Sequence, residues 1–573
     1  MNTRIETFKT PLDESLLLAR NFFELYPFDG GGCFVTFEHL GSFDDAEITD
    51  AILRRGVLAE FGSLPALDFL KFERWSTIEK TSWINRLYFL PPLARTAALR
   101  QDDAIAALVR DVILYFHRTY PPPQGKDAVG GLTRRVQESR ERDYNQQGAG
   151  VDGRTEYQWF DFQPASRVVN TINAMRFLRN SPVISADDWR EFDAFIYAHG
   201  ETLYLDEKYH CKLELGNHQA LRGLALLYCA AYFDGEDFAA GWAREGERVC
   251  DFHMSRDYLP DGTCIDISPS YHVFETWIGR DAAALAAAYG FHPNPEAFES
   301  LRRAFGVCRQ FCRPDGKSLV IDDGYSLNMD IFLESFGPSF HMDAQNPFIL
   351  PDARIAFARG EKYLAVLDSS PAIGTYSHYH GGKNAVTLWF GGQPFCVDSG
   401  CCNYDDPDFA EWFKQPEAHS TLLINGQGES VLQGRYAWPV RPEVVFGSWR
   451  DGAVESQLTS SAPQWDNGIW RRRLTAVGDG EIEIRDEVTL PDERNLEFIF
   501  NLHPGVTAEI ACDCIMLCRR EARVRLEWAA DAEVLWSVHP GKVYEDFRIC
   551  PTTQLRASIR GAGVLFRTAW RLL

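Results

Sequence analysis

The apolar residues of this 573-residue chain change their spacing once, between about residues 335 and 350, and that change constrains the fold more than any other feature. Before it the period is helical. In DDAIAALVRDVILYFHRTY, Ile105, Leu108, Val109, Val112, Ile113 and Phe116 recur three or four residues apart, behind acidic Asp102 and Asp103, and Pro121 to Pro123 end the run. SRVVNTINAMRFLRN, HQALRGLALLYCAAYF and RDAAALAAAYG repeat the pattern, with Gly290 placed as a C-terminal cap. Helices joined by short polar connections predict stacked helical hairpins without a strict short repeat. After the change the period is two. Leu496, Phe498, Phe500 and Leu502 alternate, as do Ala522, Val524, Leu526 and Trp528, and Ile482 with Ile484. Gly391-Gly392 between TLWF and PFCVD predicts a hairpin. Strand after strand without helices predicts an antiparallel sandwich. The expected layout is therefore a helical domain over 1–335, a Pro-rich linker over 336–352 and a β-sandwich over 353–573.

Composition narrows the function classes. A net charge of −23 argues against a nucleic-acid partner, because phosphate binding needs a basic face. It leaves an anionic sugar open, since a cleft can oppose the global sign. The apolar run Leu16 to Ala19 stops at Arg20, too short for a secretory signal, and no stretch has the roughly 18 apolar residues of a membrane span. The expectation is a cytoplasmic protein with no membrane partner; homo-oligomerisation is left open. The 14 cysteines show no framework and are expected reduced, with Cys401-Cys402 and Cys512, Cys514 and Cys518 read as core.

Three segments carry polar residues that a core does not usually take. Asn217 and His218 open a helix, where an Asn-His pair alone reads as a cap and a surface residue. Tyr271 and His272 follow a Ser-Pro turn, where a buried tyrosine with a satisfied hydroxyl is the plain reading. The third segment is denser. His378 and His380, two apart, face the same way if they lie on a strand; Asp398 follows on the next strand and His419 beyond a loop. A lone His-x-His is exposed decoration more often than a site. With Asp398 and His419 added, two imidazoles and a carboxylate form a zinc-type ligand set, and the nitrogen content argues against calcium or magnesium.

Taken in order, Gly-Asn-His (216–218), Ser-Pro-x-Tyr-His (268–272), His-x-His (378–380), Val-Asp-x-Gly (397–400), Lys-Gln-x-x-Ala-His (414–419) and Asn-Leu-His-Pro (501–504) give a chain that resembles the heparinase II/III-like lyases, including the oligoalginate lyases, over roughly residues 150 to 510. The resemblance implies an incomplete (α/α) toroid followed by a two-sheet β-sandwich. It also implies an enzyme that cuts uronic-acid-containing glycans by β-elimination to 4,5-unsaturated products. Asn217 and His218 match the positions that hold and neutralise the uronate carboxylate, Tyr271 the catalytic tyrosine and His378 the catalytic histidine. His380, Asp398 and His419 match a structural zinc site, and Tyr404 a further active-site tyrosine. His272 and Arg167 are expected at the substrate, with Arg134, Arg135 and Arg154 as further basic lining and Trp159 and Trp412 as sugar-stacking candidates.

The chemistry fits these residue types. Removing the proton on carbon 5 loads charge onto the carboxyl oxygens, which Asn217 and a protonated His218 would stabilise. Tyr271 is assigned as the acid at the departing oxygen and His378 as the base, with Tyr271 doing both for a same-face substrate. The partner is thus an anionic oligo- or polysaccharide, and a cytoplasmic enzyme would act as an exo-lyase on short oligosaccharides. Where relatives read His-x-His-x-Asp this chain has Gly382, so His378 is expected to lack a usual hydrogen-bond partner. The alternatives are a glycoside hydrolase using carboxylates such as Asp161, Asp261 and Asp266, or a carbohydrate-binding relative without activity.

Overall fold

The computed structural model describes residues 3–9, 86–144, 158–292, 294–334, 345–373, 378–402, 404, 406–545 and 548–573. They fall into two compact units that interleave along the chain. The first takes residues up to Tyr258, then Val273–Arg302 and Asp330–Phe340; the second takes Leu259–His272, Arg303–Met329 and His341–Leu573.

The first unit is helical. Asp102 caps the helix Asp103–Thr119 by accepting from the Ala104 and Ile105 amides, and Ile105, Val109, Val112, Ile113 and Phe116 turn inward as their spacing requires. A capping box of Ser185 and Asp188 starts the helix Ala186–Tyr209. The helix Asn217–Tyr232 packs against both Phe162–Leu178 and Ala239–Arg256, and all but two of its residues are buried. The expected cap at Gly290 is present: its φ is +70° and its amide donates to the Ala286 carbonyl at 2.9 Å. No helix among the described residues is long and apolar enough to cross a membrane.

The second unit is antiparallel β. One sheet orders β1 (Phe348–Leu350), β2 (Ile355–Arg359), β3 (Tyr363–Asp368), β4 (Ala385–Phe390) and β5 (Gln393–Cys396) as consecutive neighbours. Gly391 and Gly392, both at positive φ, close the β4–β5 hairpin where two glycines predict it. The second, ten-stranded sheet centres on Glu481–Asn501 and Arg548–Leu572, which pair from Glu481↔Arg571 to Asn501↔Gln554. Residues expected to alternate inward do so: Ile482, Ile484, Leu496, Phe498, Phe500, Leu502, Val524 and Leu526 are fully buried.

These residues and one face of the five-stranded sheet (Ala356, Leu367, Val386, Leu388, Phe390) make one sandwich core. The opposite face of that sheet, with Ile355, Phe357, Leu364, Val366 and Trp389, buries itself on Ile267, Val307, Phe311, Leu319 and Ile321. That second core explains why the Leu259–His272 and Arg303–Met329 segments belong to this unit although they come from the helical half of the sequence.

Candidate active site

Tyr271 stands in the first turn of the helix Pro269–Tyr289, on the part assigned to the second unit. Its ring stacks on His378, with centroids 3.7 Å apart and planes 25° from parallel. Its hydroxyl lies 2.6 Å from that of Tyr404. His378 Nδ1 forms an ion pair with Asp266 Oδ1 at 3.0 Å. Burial alone would lower the His378 value, but the Asp266 carboxylate, with Asp323 beyond it, more than offsets this and leaves it raised. A raised value makes the neutral imidazole a stronger base. Burial holds Tyr404 well above the ordinary tyrosine range, aided by the charge of Asp323, so this phenol stays protonated.

His378 and His380 do not lie on the strand that their spacing predicts. They precede β4 in an irregular segment, and Gly382 at φ +90° interrupts any extended run. The two rings accordingly meet different partners. His380, fully buried, sets Nε2 2.6 Å from Asp323 Oδ1, while its Nδ1 has no hydrogen-bond partner. Burial drives the His380 value down to about 4. Its ring centroid is 5.5 Å from that of His419. His419 contacts Asp398 Oδ2 through Nδ1 at 2.9 Å and donates from Nε2 to the Phe413 carbonyl at 3.0 Å. Among the described residues two buried groups gather within ligand distance: Asp323, His380 and Cys401, and Cys264, Asp266 and Glu275.

Gly382 has a steric reason. A Cβ there would stand 2.7 Å from His419 Cβ and 2.9 Å from its ring carbons. The Gly382 amide donates to Glu429 Oε1 at 2.7 Å. His378 Nδ1 completes no hydrogen bond among the described residues, as the glycine at 382 leads one to expect, but Asp266, from a distant stretch of sequence, supplies an ion-pair partner 3.0 Å away.

His272 is corrected as well. It is fully buried, takes the Cys264 amide on Nδ1 at 3.1 Å and donates from Nε2 to the Ala304 carbonyl at 2.8 Å. Burial lowers its value to about 4, so it is a neutral framework residue and not a substrate contact.

In the first unit, Asn217 is the first residue of its helix and is buried, behind Gly216 as N-cap. His218, half exposed, faces Asp161 Oδ2 through Nδ1 at 2.7 Å. Arg222 ties this corner together, reaching Asp161 at 3.4 Å, Asp206 at 2.5 Å and Glu207 at 2.7 Å. Arg167 is not a lining residue: it is wholly buried, donates to His199 Nε2 and the Gln158 carbonyl, each at 2.8 Å, and lies 4.0 Å over the Phe116 ring. Trp159 is buried against His199, and Trp412 donates its indole proton to the Lys542 carbonyl. Arg134 and Arg135 are exposed; Arg154 lies outside the described residues.

Comparison with known proteins completes the picture. Residues 135–346 match the family model described as heparinase II/III N-terminus, and residues 343–560 match the heparinase II/III-like C-terminal model. The chain belongs to the heparinase II/III-like family. Within it, the chain is 19% identical over 381 residues to a heparin-sulfate lyase of Bacteroides stercoris, a match covering 61% of this chain and 55% of that protein. It thus spans little more than half the length of that curated relative. A heparinase III crystal structure superposes with TM-score 0.67 at 17% identity, covering 86% of this chain and 77% of the other. A heparan sulfate lyase from Pedobacter heparinus (mutant form) gives 0.61 at 15%, again covering 86% and 77%. These likenesses establish the toroid-plus-sandwich fold of heparinase III.

Sequence reasoning misses two carboxylates that meet these histidines. Asp266 was weighed only as a hydrolase carboxylate, and Asp323 was not singled out. The signals were present: an aspartate five residues before Tyr271, and an Asp-Asp-Gly-Tyr run directly after the apolar Leu319 to Ile321. The buried, unpartnered His380 Nδ1 beside carboxylates, a thiol and a second imidazole is a donor set that fits a divalent metal.

Proposed function

We propose that this protein is a polysaccharide lyase that cleaves anionic, uronic-acid-containing glycans by β-elimination. The observation that carries the reading is the stacked Tyr271–His378 pair, with a phenol partner on one side and a carboxylate on the other. His378 takes the proton on carbon 5, the electron pair forms the bond between carbons 4 and 5, and the bond from carbon 4 to the glycosidic oxygen breaks. Tyr271 protonates that oxygen, and the Tyr404 hydroxyl, 2.6 Å away, steadies the phenolate left behind. Asn217 and His218 are candidates for the substrate carboxylate on the resemblance alone, an amide and an imidazole being groups that would stabilise the added negative charge.

The names of the relatives favour a glycosaminoglycan of the heparan sulfate kind over alginate, and short oligosaccharides cut from an end are the proposed form. Zinc is the proposed metal. His380, His419 and Asp398, or Asp323 and Cys401 with His380, would hold it, and it would supply rigidity to the segment bearing His378. The glycoside hydrolase reading is disfavoured because all three candidate carboxylates are engaged: Asp161 with His218 and Arg222, Asp261 with the Thr263, Asp352 and Ala353 amides, and Asp266 with His378.

The test is a panel of uronic-acid polymers and oligomers followed by ultraviolet absorbance of the unsaturated product. Tyr271→Phe and His378→Ala should each lower turnover roughly 10²–10⁴-fold. An active preparation unaffected by Tyr271→Phe refutes the mechanism, and products without the ultraviolet band refute the reaction class.

A further inference from the structure

We propose that Asp266 is the positioning residue of this site: it fixes the proton of His378 on Nδ1 and so leaves Nε2 as the nitrogen that meets the substrate. Both Asp266 oxygens and His378 Nδ1 are buried, and none of the three completes a hydrogen bond among the described residues; at 3.0 Å, Oδ1 and Nδ1 are each other's ion-pair partner, and we infer that the proton on Nδ1 closes that contact. A carboxylate buried without a counterpart is costly, and a proton held on Nδ1 offsets part of that cost. A histidine whose Nδ1 faces a buried carboxylate is held in one tautomer and one ring orientation.

The local backbone is built around this placement. The Ser268 amide donates to the Asp266 carbonyl at 2.7 Å, which closes a three-residue turn with Ile267 at its centre and φ +60°. A β-branched residue in that region is strained, and such turns are rare. The strain is held down by packing: the Ile267 side chain is buried with Phe311, Leu319 and Phe357 in the core beneath the five-stranded sheet. The same turn leads directly into the helix that presents Tyr271. One distorted turn therefore sets both the carboxylate behind His378 and the phenol stacked on it, which is the kind of site where backbone strain is retained for function.

The kinetic part of the test rests on the lyase reading; the spectroscopic part does not. Asp266→Asn keeps the shape but offers an amide donor to Nδ1, pushing the proton to Nε2. Turnover should fall roughly 10²–10⁴-fold with KM changed less than about threefold and an unchanged melting temperature. Asp266→Glu should recover part of the loss. In a His378→Ala background, Asp266→Asn should cost nothing further. Nitrogen NMR of the ¹⁵N-histidine-labelled protein, with the resonance assigned by His378→Gln, should show His378 protonated at Nδ1 and bare at Nε2, reversed in Asp266→Asn. Wild-type turnover in Asp266→Asn, an equal loss without His378, or a wild-type His378 protonated only at Nε2 each overturns the proposal. If no uronate polymer is cleaved by the wild type, the lyase reading fails and the tautomer measurement alone decides this one.

Discussion

Placing a methyl group on Gly382 tests whether glycine at this position is a loss or a fit. Gly382 sits at φ +90°, a region that costs an L-residue about 1–2 kcal/mol. The added Cβ would lie 2.7 Å from His419 Cβ, next to backbone that cannot swing aside. The His419 ring is itself held by Asp398 and the Phe413 carbonyl, so relief must come from moving a segment, at about 1–3 kcal/mol for overpacking. Together Gly382→Ala should destabilise by about 2–5 kcal/mol. At roughly 2–4 °C per kcal/mol for a domain of about 200 residues, the melting temperature should drop on the order of 10 °C. Differential scanning calorimetry reads this directly, with denaturant unfolding as a check. Gly382→Asp should be no better, since the clash begins at Cβ. A Gly382→Asp protein that melts with the wild type or turns over faster would refute the steric argument and restore the idea of a missing partner for His378.

Elsewhere, Asp486→Ala should cost about 3–5 kcal/mol in denaturant unfolding, because Arg472 is fully buried and loses bonds at 2.7 and 3.1 Å; a loss below about 1 kcal/mol contradicts this. His272 titrates near 4 when folded against an ordinary 6.5, so the unfolded chain binds its proton first as pH falls. Its contribution is full above pH 6.5 and is lost between 6.5 and 4, roughly 3 kcal/mol in all; His272→Gln should flatten that part of the stability-against-pH curve, and an unchanged slope rejects the assignment. Metal removal by a chelator should lower the melting temperature while protein that stays folded keeps its turnover; a large activity loss at unchanged melting temperature rejects the structural role of the metal.

Much of the fold was legible because it rests on local rules. The period of six apolar residues marks the helix Asp103–Thr119, Gly290 the end of the helix Pro269–Tyr289, and Gly391-Gly392 a hairpin, each within a few residues of chain. The ordered short motifs likewise contain Tyr271 and His378, and the resemblance adds Tyr404; the structure brings Tyr271 into contact with both. What spacing could not show is pairing across long stretches. Asp266 meets His378 and Asp323 meets His380 only because two segments of the helical half join the second unit. Arg167 and His272 failed for another reason: a charged or polar side chain in a helix looks the same in sequence whether it faces substrate or finds all its partners inside. His199, the Gln158 carbonyl and the Ala304 carbonyl decide the matter, and none is signalled by a motif.

The five-stranded sheet shows how this second kind of ignorance reaches the site. A sheet with one wet face alternates, whereas β2, β3 and β4 are buried almost throughout, because one face joins the sandwich core and the other covers Ile267, Phe311 and Leu319. The alternation rule reads such a run as apolar and says nothing about what lies on its far side. Yet that far side packs on Ile267, the turn residue next to Asp266, and β4 of the same sheet follows the segment holding His378. The distance between those two residues is thus fixed by a sheet packed on both faces, so shaving Phe357 or Leu364 to alanine should loosen the Asp266–His378 pair as well as the core. Such a variant would lose turnover beyond what its stability explains, and the excess should vanish once Asp266 is already asparagine.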